Sequence, residues 1–259
     1  MRGKKKRKTF EQGRMSVLDH LDELRRRIIV GLLALVVGVV AAFIGKDWVF
    51  SVIERPLKAI RGPGAQLVTF SPTEPFMTIL RVSVYAGLII ALPVILYEVW
   101  AFIMPALYER EKRSVLPYVL FTLLLFLAGA VFGYFVVLPV GLRFLIGYGG
   151  DIFNQQLRAS EYLSFVAVFL LGFGVVFEMP VFILMLSASG VVGTGRLRKW
   201  RKYAVLVIAI IAMVITPSQD PVSMLLMMGP LLVLYELGIV LGRLAERRRE
   251  KRRNQELLT

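Results

Sequence analysis

The chain has 259 residues, of which 57% are hydrophobic and 19% charged, with a mean hydropathy of +0.68. Soluble domains lie nearer about 45–50% apolar and 25% charged, so a water-soluble globule is excluded. The absence of cysteine and the single histidine, His20, exclude disulfides, thiolate chemistry and a histidine-rich metal site, while a net charge of +14 points to nucleic acid or a membrane surface until the charges are located.

In chain order, residues 1–14 form a basic extension with the run Lys4-Lys5-Lys6-Arg7-Lys8, expected to be disordered. Beside a membrane helix such a run reads as solvated or in contact with anionic lipid, rather than as a nucleic-acid patch. Met15 is a candidate for the original start. Ser16 and Asp19 have the spacing of a capping box. Val17, Leu18, Leu21, Leu24 and Ile28 then form one apolar stripe, which predicts an interfacial helix leading into the first span. Asp22 and Glu23 fall at its water boundary, and Arg25, Arg26 and Arg27 are expected to meet lipid headgroups.

A hydrocarbon core about 30 Å thick needs about 20 helical residues. Six segments qualify or nearly so: Ile28–Ile44, Phe76–Ile103, Val115–Leu138, Tyr162–Leu186, Ala204–Ile215 and Val222–Leu241. The first is read as a retained helix and not a cleaved signal, because no clear A-x-A site follows it. The fifth has only 12 clearly apolar residues, about 18 Å of helix, so it either borrows Trp200 to Tyr203 or lies beside thinned membrane. A re-entrant hairpin of the last two segments is the competing reading.

Between the first two spans, residues 46–75 contain Pro56, Pro63, Pro72 and Pro75, which predict a rigid loop without a long helix. With the segment 139–161 it is expected to cap the outer helix ends. With the N-terminus inside, the inner segments hold 25 Lys and Arg and the outer ones 6. That is the positive-inside pattern, and it places both termini in the cytoplasm. It also accounts for the basic balance with no nucleic-acid partner. The expected fold class is therefore all-α, a polytopic membrane protein of six transmembrane helices. Its expected division is the extension 1–14, a membrane domain over 15–243 and a basic tail over 244–259.

Four ionisable groups fall inside spans: Arg81, Glu98, Glu178 and Glu236. A charge near a helix centre costs roughly 3 kcal/mol on insertion scales, so each requires an explanation. Glu98 lies six residues before Met104, about 9 Å from the inner end. Glu178 lies near mid-span and is followed by Pro180, which predicts a kink and a wet or polar pocket beside the carboxylate. Arg81 and Glu236 are nearer span ends, where they can snorkel.

The sequence argues against an enzyme. His20 is too close to the cytoplasmic boundary to serve a mid-membrane serine, and there is no G-x-S-x-G, H-E-x-x-H, paired Asp or Walker A motif. No cofactor or metal is expected. A proton-coupled small-solute transporter is the alternative function, since carboxylates in kinked helices serve such carriers.

Several stretches carry a family resemblance. They include His20-Leu21-Asp22-Glu23-Leu24-Arg25, Arg55-Pro56-Leu57, Ser71-Pro72-Thr73-Glu74-Pro75-Phe76 and the run from Ala91 through Tyr97-Glu98-Val99-Trp100-Ala101-Phe102 to Glu111-Lys112-Arg113. Tyr134-Phe135, Leu138-Pro139, Tyr162-Leu163-Ser164-Phe165, Phe177-Glu178-Met179-Pro180 and Thr216-Pro217 follow in order. Over residues 15–243 the chain resembles the TatC family, the polytopic core of the twin-arginine protein translocase.

That resemblance implies a receptor for twin-arginine signal peptides. It also implies assembly with single-span TatA/TatB-type partners, self-association in a larger complex, and export of folded proteins on the proton-motive force. A prokaryotic cytoplasmic (inner) membrane is the implied location. The family's motif-binding carboxylates fall here on Glu23 and Glu111, with Arg25 beside the first. Pro56, Phe76, Phe102, Glu178 and Asp220 match other functional positions. Family members more often carry glutamine where this chain has Glu98, and Ser218-Gln219 intervenes between Thr216-Pro217 and Asp220. The chemistry agrees: a guanidinium pairs with a carboxylate through two parallel hydrogen bonds, which lysine cannot reproduce. Glu23 has a rival partner in Arg27 at i+4, and Glu111 in Lys112 or Arg113; exposed pairs of that kind are worth only about 0–1 kcal/mol.

Overall fold

A computed structural model describes residues 17–107, 115–148, 155–190, 192–215 and 221–256. Its helices are α1 (Val17–Ile44), α2 (Lys46–Arg61), α3 (Glu74–Leu107), α4 (Leu116–Phe132), α5 (Leu138–Gly147), α6 (Ala159–Phe177), α7 (Met179–Ser189), α8 (Thr194–Lys199), α9 (Arg201–Ile215) and α10 (Pro221–Glu256). A five-residue π turn, Gly133–Val137, joins α4 to α5. Among the described residues there is no strand, only an isolated bridge between Val68 and Arg158.

Among the described residues, five passes are long and apolar enough to cross a membrane: His20–Ile44, Glu74–Ile103, Leu116–Gly147, Ala159–Ser187 and Met227–Arg247. The sixth, α9, has 15 residues and includes Arg201 to Tyr203, part of the segment it was expected to borrow. At 1.5 Å per residue it spans about 22 Å, still short of a full hydrocarbon core. Passes α1 and α3 run antiparallel, so that His20 stacks on Phe102 with ring centroids 4.4 Å apart. We call this the termini end of the bundle; the opposite end holds α2 and the segments before α3 and α6.

The core is centred on α6. Its Tyr162, Leu163, Val166, Phe169 and Phe173 are buried against Leu57 of α2, Val82 of α3 and Leu138 of α5. By contrast α1 leaves Leu32, Leu33, Val36, Val37 and Val40 exposed, an apolar face suited to lipid. Near mid-span α1 and α3 approach backbone to backbone. A Cβ on Gly38 would stand 2.3 Å from the Gly87 carbonyl oxygen, and one on Gly87 would stand 2.5 Å from the Val39 nitrogen. Small residues permit this approach where lipid removes the hydrophobic drive between helices.

Three sequence expectations are corrected. Residues 46–61 form a 16-residue helix despite Pro56. Pro63 and Pro72 lie beyond it, and Pro75 sits in the first turn of α3, where its missing N–H is harmless. Pro56 alone is internal, and the carbonyls one turn before it are capped from other helices. Tyr134 donates to the Val52 oxygen at 2.7 Å and Tyr162 to the Ile53 oxygen at 3.1 Å. Second, the third pass does not end at Leu138 but continues to Gly147. The Leu138 N–H reaches back five residues to Gly133, so the bonding has already shifted where Pro139 has none to give. Third, Arg27 does not point to headgroups; it pairs with carboxylates, as described below.

The segments at the far end clasp one another. Val68 N–H donates to Leu157 O and Ala159 N–H to Val68 O, at 3.0 and 2.9 Å. Glu74 is the pin: its buried carboxylate accepts from Phe70 N–H, Arg158 Nε and Ser160 Oγ at 2.9, 2.8 and 2.6 Å. Donating to Glu74 also raises the Arg158 guanidinium above its ordinary value. The expected capping of helix ends is thus a two-segment clasp built on a carboxylate that sequence reading did not single out.

Candidate functional site

At the termini end, α1 and α3 line between them a groove of about 320 Å³. Its walls are apolar, with Leu24, Ile28, Leu32 and Leu35 from α1 and Ile95, Val99 and Ile103 from α3. Arg27, Glu98 and Phe102 also line it. Close-packed glycines hold the two helices together deeper in the bundle.

One guanidinium organises this polar cluster. Arg27 donates from Nε and Nη2 to Glu23 Oε1, at 3.0 and 2.5 Å, and from Nη1 to Glu98 Oε2 at 2.9 Å. The three side chains are only 22%, 23% and 18% exposed, so the pairing is partly desolvated and stronger than a surface ion pair. The remaining Glu23 oxygen, Oε2, lies 4.0 Å from His20 Nδ1. His20 in turn packs flat on Phe102. Glu23, Glu98 and Phe102, chosen separately from the sequence, therefore converge, while Arg27 was missed as their link. The i+4 spacing of Glu23 and Arg27 was a readable signal; the second arm to Glu98, 71 residues away, was not. Arg25 is exposed on the outer face of the same helix.

The other expected residues are scattered. Glu178 forms the break between α6 and α7: its N–H donates to Val175 O, and its carbonyl accepts from Val181 and Phe182. The expected kink is there, with Pro180 in the first turn of α7. The side chain is buried, at 8% exposure, and Oε1 has no hydrogen-bond partner among the described residues. It is buried inside the bundle at the break between the two helices. Pro56 is buried in α2 and Phe76 is exposed near the start of α3, both at the far end from Glu23. Arg81 is exposed on α3, and Glu236 pairs with Arg201 of α9 at 2.5 Å. Glu111, Asp220, Ser16, Met15 and the 1–14 extension lie outside the described residues, as do the side chain of Asp19 and the last three residues of the tail. The tail begins as a helix, since α10 runs unbroken to Glu256.

Long apolar passes, a helix broken at a buried carboxylate and a groove with a charged mouth define a polytopic helical membrane protein. Comparison with known proteins makes the class specific. Residues 19–230 match the family model described as Sec-independent protein translocase protein (TatC). The TatC proteins of Aquifex aeolicus and Koribacter versatilis are each 41% identical, over 240 and 247 residues. Those alignments cover 92% and 93% of this chain, and 98% and 91% of the relatives. A crystal structure of the twin-arginine translocase receptor TatC superposes with a TM-score of 0.79 at 41% identity, covering 87% of this chain and 99% of that one. The chain belongs to the TatC family.

Proposed function

We propose that this chain is the signal-peptide receptor and core subunit of a twin-arginine translocase in a prokaryotic cytoplasmic membrane, with both termini inside the cell. The observation that carries this reading is the mouth of the α1/α3 groove. A partly buried carboxylate, Glu23, is bonded to Arg27, which lines an apolar groove together with Phe102 and a second carboxylate, Glu98. A signal peptide has the same polarity, a cationic end followed by an apolar stretch. Its guanidinium meets Glu23 through two parallel hydrogen bonds while the apolar stretch follows the groove. Glu111 supplies the carboxylate for the second arginine, with Arg25 on the same rim of α1.

The remaining assignments follow the family. Glu178, buried and with one oxygen unpartnered among the described residues, receives a polar side chain from a TatA/TatB-type single-span partner during transport. Pro56, Phe76 and Asp220 act at the outer end, and the basic extension and tail rest on anionic lipid. Copies of the chain associate in a larger complex that exports folded proteins on the proton-motive force, with no catalytic step in this subunit.

The test is binding of the full chain in detergent to one labelled signal peptide in Arg-Arg and Lys-Lys versions. The expected result is a clear arginine preference that Glu23→Gln reduces. A charge-assisted hydrogen bond is worth about 1.5–3 kcal/mol, so the loss is roughly tenfold or more in affinity. Equal binding of both versions overturns the receptor reading.

A further inference from the structure

The carboxylate proposed to receive a signal-peptide arginine already holds one. Arg27 sits with its fork closed on Glu23 and its third arm on Glu98, tying α1 to α3 at the groove mouth. An isolated pair at i+4 would need only Glu23; the bond to Glu98 shows a site shaped for a guanidinium between two carboxylates. One cation against two anions leaves the cluster with a net charge of −1, which attracts a further cation instead of repelling it. The chain also offers Arg27 an alternative position. Arg25 and Arg26, on the same turns of α1, are exposed, and a long basic side chain can swing to that level and keep its charge in water or against headgroups.

We propose that Arg27 is an internal stand-in for the signal peptide's arginine, and that Glu98 is a further specificity-determining residue of the arginine site. The incoming guanidinium exchanges with Arg27 and takes its place across Glu23 and Glu98. This rests on the receptor reading above and adds its mode of discrimination. The empty site is never two bare carboxylates, so a ligand binds only by replacing a bridging guanidinium with an equal one. Lysine's compact ammonium has no planar fork to span both acids, and so it competes poorly with the resident group. Glutamine at position 98 would keep the shape of that wall and lose the charged acceptor.

The experiment uses the full chain in lipid nanodiscs, with labelled Arg-Arg and Lys-Lys signal peptides at equal net charge. Arg27→Gln is expected to raise affinity for the Arg-Arg peptide, and disproportionately that for the Lys-Lys peptide, so that discrimination narrows. Glu98→Gln is expected to weaken Arg-Arg binding roughly tenfold, the scale of one charge-assisted hydrogen bond, and Lys-Lys binding less. Arg27→Lys, which keeps the charge and removes the fork, is expected to fall between the parent and Arg27→Gln; its thermal melt separates misfolding from exchange. If Arg27→Gln and Arg27→Lys fold yet bind the Arg-Arg peptide as weakly as Glu23→Gln, Arg27 is scaffold and the exchange is wrong. Unchanged binding in Glu98→Gln removes Glu98 from the site. If the parent itself does not prefer Arg-Arg, the receptor reading has failed, an outcome distinct from failure of the exchange alone.

Discussion

Glu178 carries the most distinct chemistry of any single residue outside the groove. Its backbone closes α6 and opens α7, so the carboxylate is fixed at a break in the helix. A buried oxygen with no hydrogen-bond partner among the described residues costs about 1–3 kcal/mol, more for a charged group, and the proposed role for it is to meet a partner protein's polar side chain. Glu178→Ala is therefore expected to fold and bind signal peptide like the parent while losing transport in a reconstituted export assay; normal transport would contradict the role. Residue identity made Glu178 legible in the sequence, because a carboxylate beside a proline in an apolar run is an anomaly on its own. Arg27 was half legible: its pairing with Glu23 at i+4 shows in the sequence, while Glu98 meets it only after α1 and α3 pack. Glu74 escaped notice because it stands at a span end, where a carboxylate raises no question; its burial comes from Arg158, Ser160 and Phe70 folding onto it.

At the scale of elements, hydropathy was sufficient for the passes built on α1, α3, α6–α7 and α10, since lipid requires a long apolar run and little else does. It was insufficient for α2. The proline rule is sound for an isolated helix, but Val52 and Ile53 receive their hydrogen bonds from tyrosines 82 and 109 residues away. The π turn places Tyr134 for one of these bonds, and the start of α6 places Tyr162 for the other. Tyr134→Phe and Tyr162→Phe should each destabilise the fold by about 1 kcal/mol, the net worth of one such bond. The effect is read as a lower midpoint in thermal unfolding in detergent. Pro56→Ala in the double tyrosine variant should recover part of it, because alanine restores the intrahelical bond. At the α1–α3 crossing, Gly38→Val is expected to separate the helices and remove both folding yield and peptide binding, since its Cβ would meet the Gly87 carbonyl.

Across the whole molecule, six passes return the chain to the end from which it started, with the groove mouth at that end and the Glu74 clasp at the other. The charge count, 25 against 6, is what supports the proposal that the termini end faces the cytoplasm. The chain has no cysteine, so single replacements report cleanly. With an impermeant maleimide on intact cells, Thr73→Cys should label directly and Lys199→Cys only after permeabilisation. In the proposed function the arginine end of a signal peptide rests at the mouth of the α1/α3 groove. Site-specific photocrosslinking tests it most directly, with a photoreactive residue replacing Val99 or Ile103 in the groove, and Val214 on the exposed face of α9 as the comparison. Adducts with an Arg-Arg signal peptide are expected at positions 99 and 103, and they fade with the Lys-Lys version. Adducts at position 214 and none in the groove would contradict it.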